Sequence, residues 1–128
     1  MTAEKLMRRK FETVHAEATL EEVERKLEAS GADLIPVCRE GLLVGTITHH
    51  DVALGVSAGK RRAESPLVAE VIAADILFCF EGTDVAEAAK LMRESGVSVL
   101  PVLNRGKKVV GVLALKDILE GRSPGEAS

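Results

Sequence analysis

The sequence predicts an α+β fold made of two copies of one motif. Each copy is an extended segment followed by helix, strand, strand and helix, and the copies pack sheet to sheet about a pseudo-two-fold axis. Three observations predict this. "SGADLIPV" (30–37) lies over "SGVSVLPV" (95–102) at an offset of 65, with Ser, Gly, Pro and Val in step. "GTITHHDV" (45–52) returns 66 positions later as "GVLALKDI" (111–118), with Gly and Asp in step. Ahead of each strand pair stands an apolar stripe at helical spacing: Leu20, Val23 and Leu27 in one copy, Val85, Ala88 and Met92 in the other.

The elements follow in order. "FETVH" (11–15) and "ILFCF" (76–80) are the extended segments. The helices span 20–30 and 85–95. Thr19 and Asp84 are their N-cap candidates, with Glu22 and Glu87 three residues on as capping boxes. Gly31 and Gly96 stand where a left-handed C-cap belongs. "LIPVC" and "LLVGTI" are strands joined by a turn at "REG"; "VLPVL" and "VVGVLA" are joined at "NRGK". One residue inserted in the second hairpin changes the offset from 65 to 66. A short closing helix starts at "HHDVAL" and at "LKDILE". The first motif spans 1–59, a linker 60–65, the second motif 66–121, and a frayed tail 122–128. Ser65 and Pro66 read as N-cap and first helical residue of the next helix.

Composition narrows the function classes. The chain has 128 residues, enough for a core without disulfides or metal. It is 46% hydrophobic and 29% charged, with a net charge of −3, a globular balance that argues against nucleic acid as the main partner. No apolar run is long enough to span a membrane, and the N-terminus lacks the apolar stretch of a signal peptide, so the cytoplasm is the expected location. Cys38 and Cys79 are isolated and read as buried free thiols. Phe11, Phe78 and Phe80 are the whole aromatic complement, so any binding site relies on aliphatic walls.

Certain repeated residues break the rules of their elements. Pro36 and Pro101 lie inside strands, where proline requires an edge or a bulge. Gly45 and Gly111 lie in the neighbouring strand, where glycine marks either close approach of a ligand or backbone, or relief of a packing clash. Thr48 and Asp51 follow Gly45 as T-x-x-D. The same two residues suit a helix cap worth about 1 kcal/mol. They also suit a ligand hook, with the helix N-terminus and the Thr hydroxyl for phosphate and the carboxylate for both hydroxyls of a ribose. In the second copy Thr48 is replaced by Ala114, yet the acid persists as Asp117. His50 and Lys116 precede the two acids as potential cations.

This doubled order of extended piece, helix ending in Gly, "LPV"-like strand, hairpin and G-x-x-T-x-x-D resembles a tandem pair of cystathionine-β-synthase-type (CBS) domains, a Bateman module, over roughly residues 6–121. The resemblance implies a regulatory, ligand-sensing module. It would bind an adenosine-containing ligand (AMP, ADP, ATP or S-adenosylmethionine type) in the cleft between the motifs and signal through homodimer or partner geometry. It implies no required cofactor. Carried over by position, Asp51 takes the ribose and Thr48 the phosphate. The backbone of Thr13, Val14 and His15 reads the adenine edge, and Ile35, Pro36 and Val37 flank the base. In the second copy Asp117 takes the ribose, Phe78, Cys79 and Phe80 form the extended segment, and Leu100, Pro101 and Val102 flank the base. His50 and Lys116 stand where a basic residue meets phosphates. Ala114 departs from the pattern, so a weaker or empty second site is expected.

Other readings stay open. His15, His49 and His50 with Asp51 are a candidate divalent-metal set. The basic stretches "GKRR" (59–62) and "NRGKK" (104–108) suit solvated loops or a charged partner. A dimerisation or partner-binding scaffold without ligand fits the same sequence. Catalysis does not: no nucleophile–base–orienter set, P-loop or C-x-x-C pair occurs.

Overall fold

The computed structural model describes residues 1–53, 67–68, 72 and 76–121. The linker at 60–65, the Ser65–Pro66 helix start, the "GKRR" stretch and the tail at 122–128 lie outside the described residues. The fold is α+β, with two three-stranded sheets and short helices.

The first repeat runs β1 (Val14–His15), α2 (Leu20–Ser30), β2 (Leu34–Arg39) and β3 (Leu42–Thr48), with helical residues at 49–53. The second runs β4 (Cys79–Phe80), α3 (Val85–Ser95), β5 (Val99–Leu103), β6 (Val109–Ala114) and α4 (Leu115–Glu120). A four-residue helix, α1 (Ala3–Leu6), precedes both. Each sheet has its long middle strand flanked by a parallel two-residue strand and an antiparallel hairpin partner, in the orders β1-β2-β3 and β4-β5-β6.

The local signals act as their chemistry requires. Thr19 Oγ1 accepts from the Glu22 N–H at 3.2 Å, capping α2. Asp84 caps α3 differently: its carboxylate accepts from the Ala86 N–H at 2.8 Å, one residue short of the expected box position. Among the described residues neither Glu22 nor Glu87 returns a side-chain bond to its cap, so both boxes are half-formed. The Asp84 bond goes to the second amide of the helix and satisfies a donor of the same orphan class. Gly31 and Gly96 end the helices at φ 70° and 72°, the left-handed conformation that only glycine adopts without cost.

The first hairpin turns on Glu40 and Gly41, at φ 54° and 82°, between the paired Arg39 and Leu42. The second is longer. Asn104 Oδ1 accepts from the Lys108 N–H at 3.0 Å, and Lys107 takes the left-handed position at φ 65°. The inserted residue is absorbed there.

Pro36 and Pro101 are not on edge strands. Both lie in the middle strand, paired to Thr46 and Val112 on one side. On the other side β1 and β4 begin only at Val37 and Val102, so no neighbour asks the proline for an N–H. The register shifts follow at once, between Val37 and Cys38 and between Val102 and Leu103. The middle strands thus leave a short backbone stretch without a strand partner on one side just before each bulge.

Compactness does not follow the two halves of the sequence. One unit joins Met1–Phe11 to Leu77–Ser128; the other is Glu12–Ile76. In the first unit the N-terminal segment is stitched to the second repeat. The Ala3 N–H donates to Thr83 O at 2.8 Å, the Val85 N–H to Met1 O at 2.9 Å, and Arg8 and Val112 exchange backbone bonds of 2.7 and 3.0 Å. Ala3, Leu6 and Met7 are buried in a core with Met92, Leu100, Val102 and Leu113. In the other unit Val68 joins a core of Leu20, Val23, Leu27, Ile35 and Ile47, and Leu67 pairs with Thr19. Both cores consist of aliphatic side chains with helical spacing on one side and strand alternation on the other, so burial of apolar area holds each unit together.

Candidate functional site

The sheet register brings the candidate residues of the first repeat to one end of its sheet. β1 starts beside Val37, and Thr48 pairs with Leu34. Thr13, Pro36 and the Thr48–Asp51 turn therefore share that end. β1 and β3 stand on either side of β2, about 10 Å apart across the sheet. Val14, Ile35 and Val37 are buried in the core, backbone included. Pro36 is also fully buried. The Thr13 carbonyl accepts from Lys26 Nζ at 2.9 Å, which places a cation beside the extended segment. His15 is exposed, and its Nδ1 accepts from the Glu17 N–H at 3.1 Å. His50 is exposed as well.

Thr48 and Asp51 form a reciprocal cap. The Thr48 N–H and Oγ1 donate to Asp51 Oδ2 at 3.0 and 3.1 Å, and the Asp51 N–H donates back to Thr48 Oγ1 at 3.2 Å. The capping role is therefore present. It uses one carboxylate oxygen. Among the described residues Oδ1 receives no hydrogen bond, and Asp51 is half-buried. A carboxylate has about four acceptor sites, so capacity for two hydroxyl donors remains.

The second repeat repeats the placement with different chemistry. Leu100, Pro101 and Val102 are buried in β5, Cys79 is buried in β4, and Phe78 packs edge-on against the exposed Phe80 at 5.4 Å. Lys116 is exposed. Ala114 offers no side-chain cap; the Leu115 N–H donates to Ser98 O at 2.8 Å instead. Asp117 is 5% exposed and is met by Arg8, whose Nε lies 2.9 Å from Oδ2 and whose Nη2 lies 3.4 Å from Oδ1. Arg8 was not visible as a site residue in the sequence, because the contact spans 109 positions. One signal marks it: at the repeat offset of 65 its counterpart is Ala73, so the cation belongs to one copy only.

Gly45 and Gly111 are bare for packing reasons. A Cβ on Gly45 would lie 2.9 Å from Ile72 Cδ1, and one on Gly111 would lie 2.7 Å from Met7 Sδ and 2.9 Å from Arg8 O. Met7 and Ile72 are themselves 65 positions apart. Each repeat thus uses its glycine to admit a side chain at the same repeat offset, Ile72 in one and Met7 in the other.

Among the described residues no group of three or more His, Cys, Asp or Glu side chains gathers to hold a metal ion. His15, His49, His50 and Asp51 are not brought together as such a set. Among them too, no helix is long and apolar enough to cross a membrane. Both cysteines are free thiols. Burial raises the Cys38 thiol above its ordinary range and pushes Cys79 from an ordinary 9.0 to about 11. Cys79 should therefore alkylate with iodoacetamide at pH 8 far more slowly than free cysteine, since the thiolate is the nucleophile. Because the folded state favours the neutral thiol, this contribution to stability is complete below pH 9.0 and is lost as pH rises to about 11. Alkylation of the native protein at the free-cysteine rate would contradict this.

Comparison with known proteins agrees with the doubled fold. The CBS domain family matches the sequence twice, at residues 3–57 and 68–123. A CBS domain-containing protein of Bacillus subtilis, YhcV, is 27% identical over 116 residues, covering 91% of this chain and 81% of that protein. An inosine-5′-monophosphate dehydrogenase of Methanocaldococcus jannaschii is 30% identical over 117 residues, but the chain spans only 22% of its length. The CBS domain pair of protein MJ0100, solved in complex with 5′-methylthioadenosine and S-adenosyl-L-methionine, superposes with a TM-score of 0.79 at 22% identity, covering 94% of each chain. The cytosolic domain of the Mg2+ channel MgtE, solved in complex with ATP, superposes at 0.77 with 27% identity, over 90% of this chain and 46% of that one. With two sheets of the same order and two family matches along one sequence, this chain belongs to the CBS domain family and carries two CBS domains in tandem.

Proposed function

We propose that the chain is a regulatory module that binds an adenosine-containing ligand, of the AMP, ADP, ATP or S-adenosylmethionine type, at the hook formed by Thr48 and Asp51. The observation that carries this reading is the spare capacity of Asp51. Its cap occupies Oδ2 alone, and the carboxylate is half-exposed, as an acceptor for a ribose diol must be. Adenosine-type ligands in CBS pairs of similar fold support the chemical class. The backbone of Thr13–His15 suits the adenine edge, because among the described residues β1 is the edge strand of its sheet. Thr48 Oγ1, by turning its one proton from Asp51 Oδ2 to the ligand, and His50 are the phosphate contacts of this reading. The role is regulatory, not catalytic. The signal leaves through a partner or a second copy of the chain, and only if the ligand binds two arrangements unequally.

Thermal unfolding tests it. The chain has no Trp or Tyr, so calorimetry or circular dichroism is the readout. A ligand at one hundred times its Kd stabilises the fold by about 2.7 kcal/mol, a shift on the order of ten degrees at this length. The expected result is such a shift with AMP, ADP, ATP or S-adenosylmethionine, lost in Asp51→Ala. No shift with any of the four, together with a small fall in midpoint for Asp51→Ala, would leave the stretch as a helix cap and the module as a scaffold.

A further inference from the structure

The two acids of the repeated motif differ in their partners, and the difference lies in a segment that precedes both repeats. Asp51 is half-buried and capped locally. Asp117 is 5% exposed, with one oxygen on Arg8 Nε at 2.9 Å and the other facing Nη2 at 3.4 Å. A guanidinium fork of this kind uses the same two oxygens that a ribose diol would need.

Arg8 is fixed in place. Its backbone exchanges two hydrogen bonds with Val112, its carbonyl lies against the bare Gly111, and Met7 beside it is buried. A partner held this way is always present at the carboxylate, whereas a ligand has to be supplied from solution and has to displace a charge-assisted pair. At the repeat offset of 65 the residue matching Arg8 is Ala73, which carries no charge.

We propose that Arg8 closes the ribose hook of the second repeat, so that the chain takes one adenosine ligand, at Thr48 and Asp51. This rests on the reading of Thr48–Asp51 as a ligand hook. The missing hydroxyl at Ala114 gives the closed hook a further property. Once opened, it has Lys116 but no Thr hydroxyl for a phosphate, so it favours a monophosphate over its nucleoside less than the first hook does.

Titration calorimetry with AMP and with adenosine, on the wild type, Arg8→Gln and Arg8→Lys, tests the proposal, with amide shifts mapping each ligand. The expected wild-type result is one AMP per chain, with shifts at 48–51 and none at 115–118. Arg8→Gln gains a second ligand, AMP or adenosine, with new shifts at 115–118. Arg8→Lys, which keeps the charge, takes less of the second ligand than Arg8→Gln. Two ligands per wild-type chain would overturn the proposal, as would an Arg8→Gln protein of native circular dichroism that still takes one. A wild type that binds nothing while Arg8→Gln binds at 115–118 refutes the first hook and upholds the closure. Binding by neither protein overturns both. Should Arg8→Gln fail to fold, the wild-type shifts decide: movement at 115–118 under saturating AMP overturns the closure, and stillness there while 48–51 moves upholds it.

Discussion

Gly111→Ala should cost the protein about 2–4 kcal/mol, far more than the matching Gly45→Ala. The new Cβ would lie 2.9 Å from the Arg8 carbonyl and 2.7 Å from Met7 Sδ. The carbonyl is backbone and cannot rotate away. It also accepts the Val112 N–H at 3.0 Å, so moving it loosens the Arg8–Val112 pair and the ion pair beyond it. Overpacking costs about 1–3 kcal/mol, and each lost hydrogen bond about 1 more. The lower chain entropy of alanine returns about 0.4–1 kcal/mol. At Gly45 the three nearest atoms belong to the Ile72 side chain; the nearest, Cδ1 at 2.9 Å, is its flexible end, and Cβ lies at 3.2 Å. A cost of about 1 kcal/mol is expected there. Thermal unfolding of the two variants checks this: a midpoint fall on the order of ten degrees for Gly111→Ala and a few degrees for Gly45→Ala. Equal falls would contradict the account of the crossing segment.

The structure bears out what short-range chemistry writes into the sequence. Gly31 and Gly96 needed left-handed backbone and have it. Thr19 caps its helix, and the extra hairpin residue sits in the 104–108 turn. The α+β order is legible because both copies state it, and agreement between copies removes the ambiguity of either one. What the sequence concealed depends on partners far along the chain. Pro36 and Pro101 read as edge or bulged positions; they occupy middle strands just before a register shift, and β1 and β4 are too short to reach them. The glycines in β3 and β6 read equally as ligand approach or packing, and only the positions of Ile72 and Met7 decide for packing. Asp117 reads as the twin of Asp51, and only the 109-residue contact with Arg8 separates their environments. The Thr-to-Ala change between the copies was the one local hint of that asymmetry.

The second large effect concerns the ligand itself. A carboxylate that accepts two ribose hydroxyls makes two charge-assisted bonds, each worth about 1.5–3 kcal/mol. Removing the hydroxyls from the ligand, or the carboxylate from the protein, should therefore weaken binding at least tenfold. The two removals should not add, because each deletes the same pair of bonds. A cap lost in Asp51→Ala lowers stability by about 1 kcal/mol in the absence of ligand, a separate effect that a binding constant does not report.

The most direct test of the ribose hook is a titration of AMP and of 2′,3′-dideoxy-AMP into the wild type and Asp51→Ala. The wild type should prefer AMP by at least tenfold, and Asp51→Ala should bind both analogues weakly and alike. Equal affinity of the wild type for the two ligands, or a preference for AMP that survives in Asp51→Ala, would contradict it.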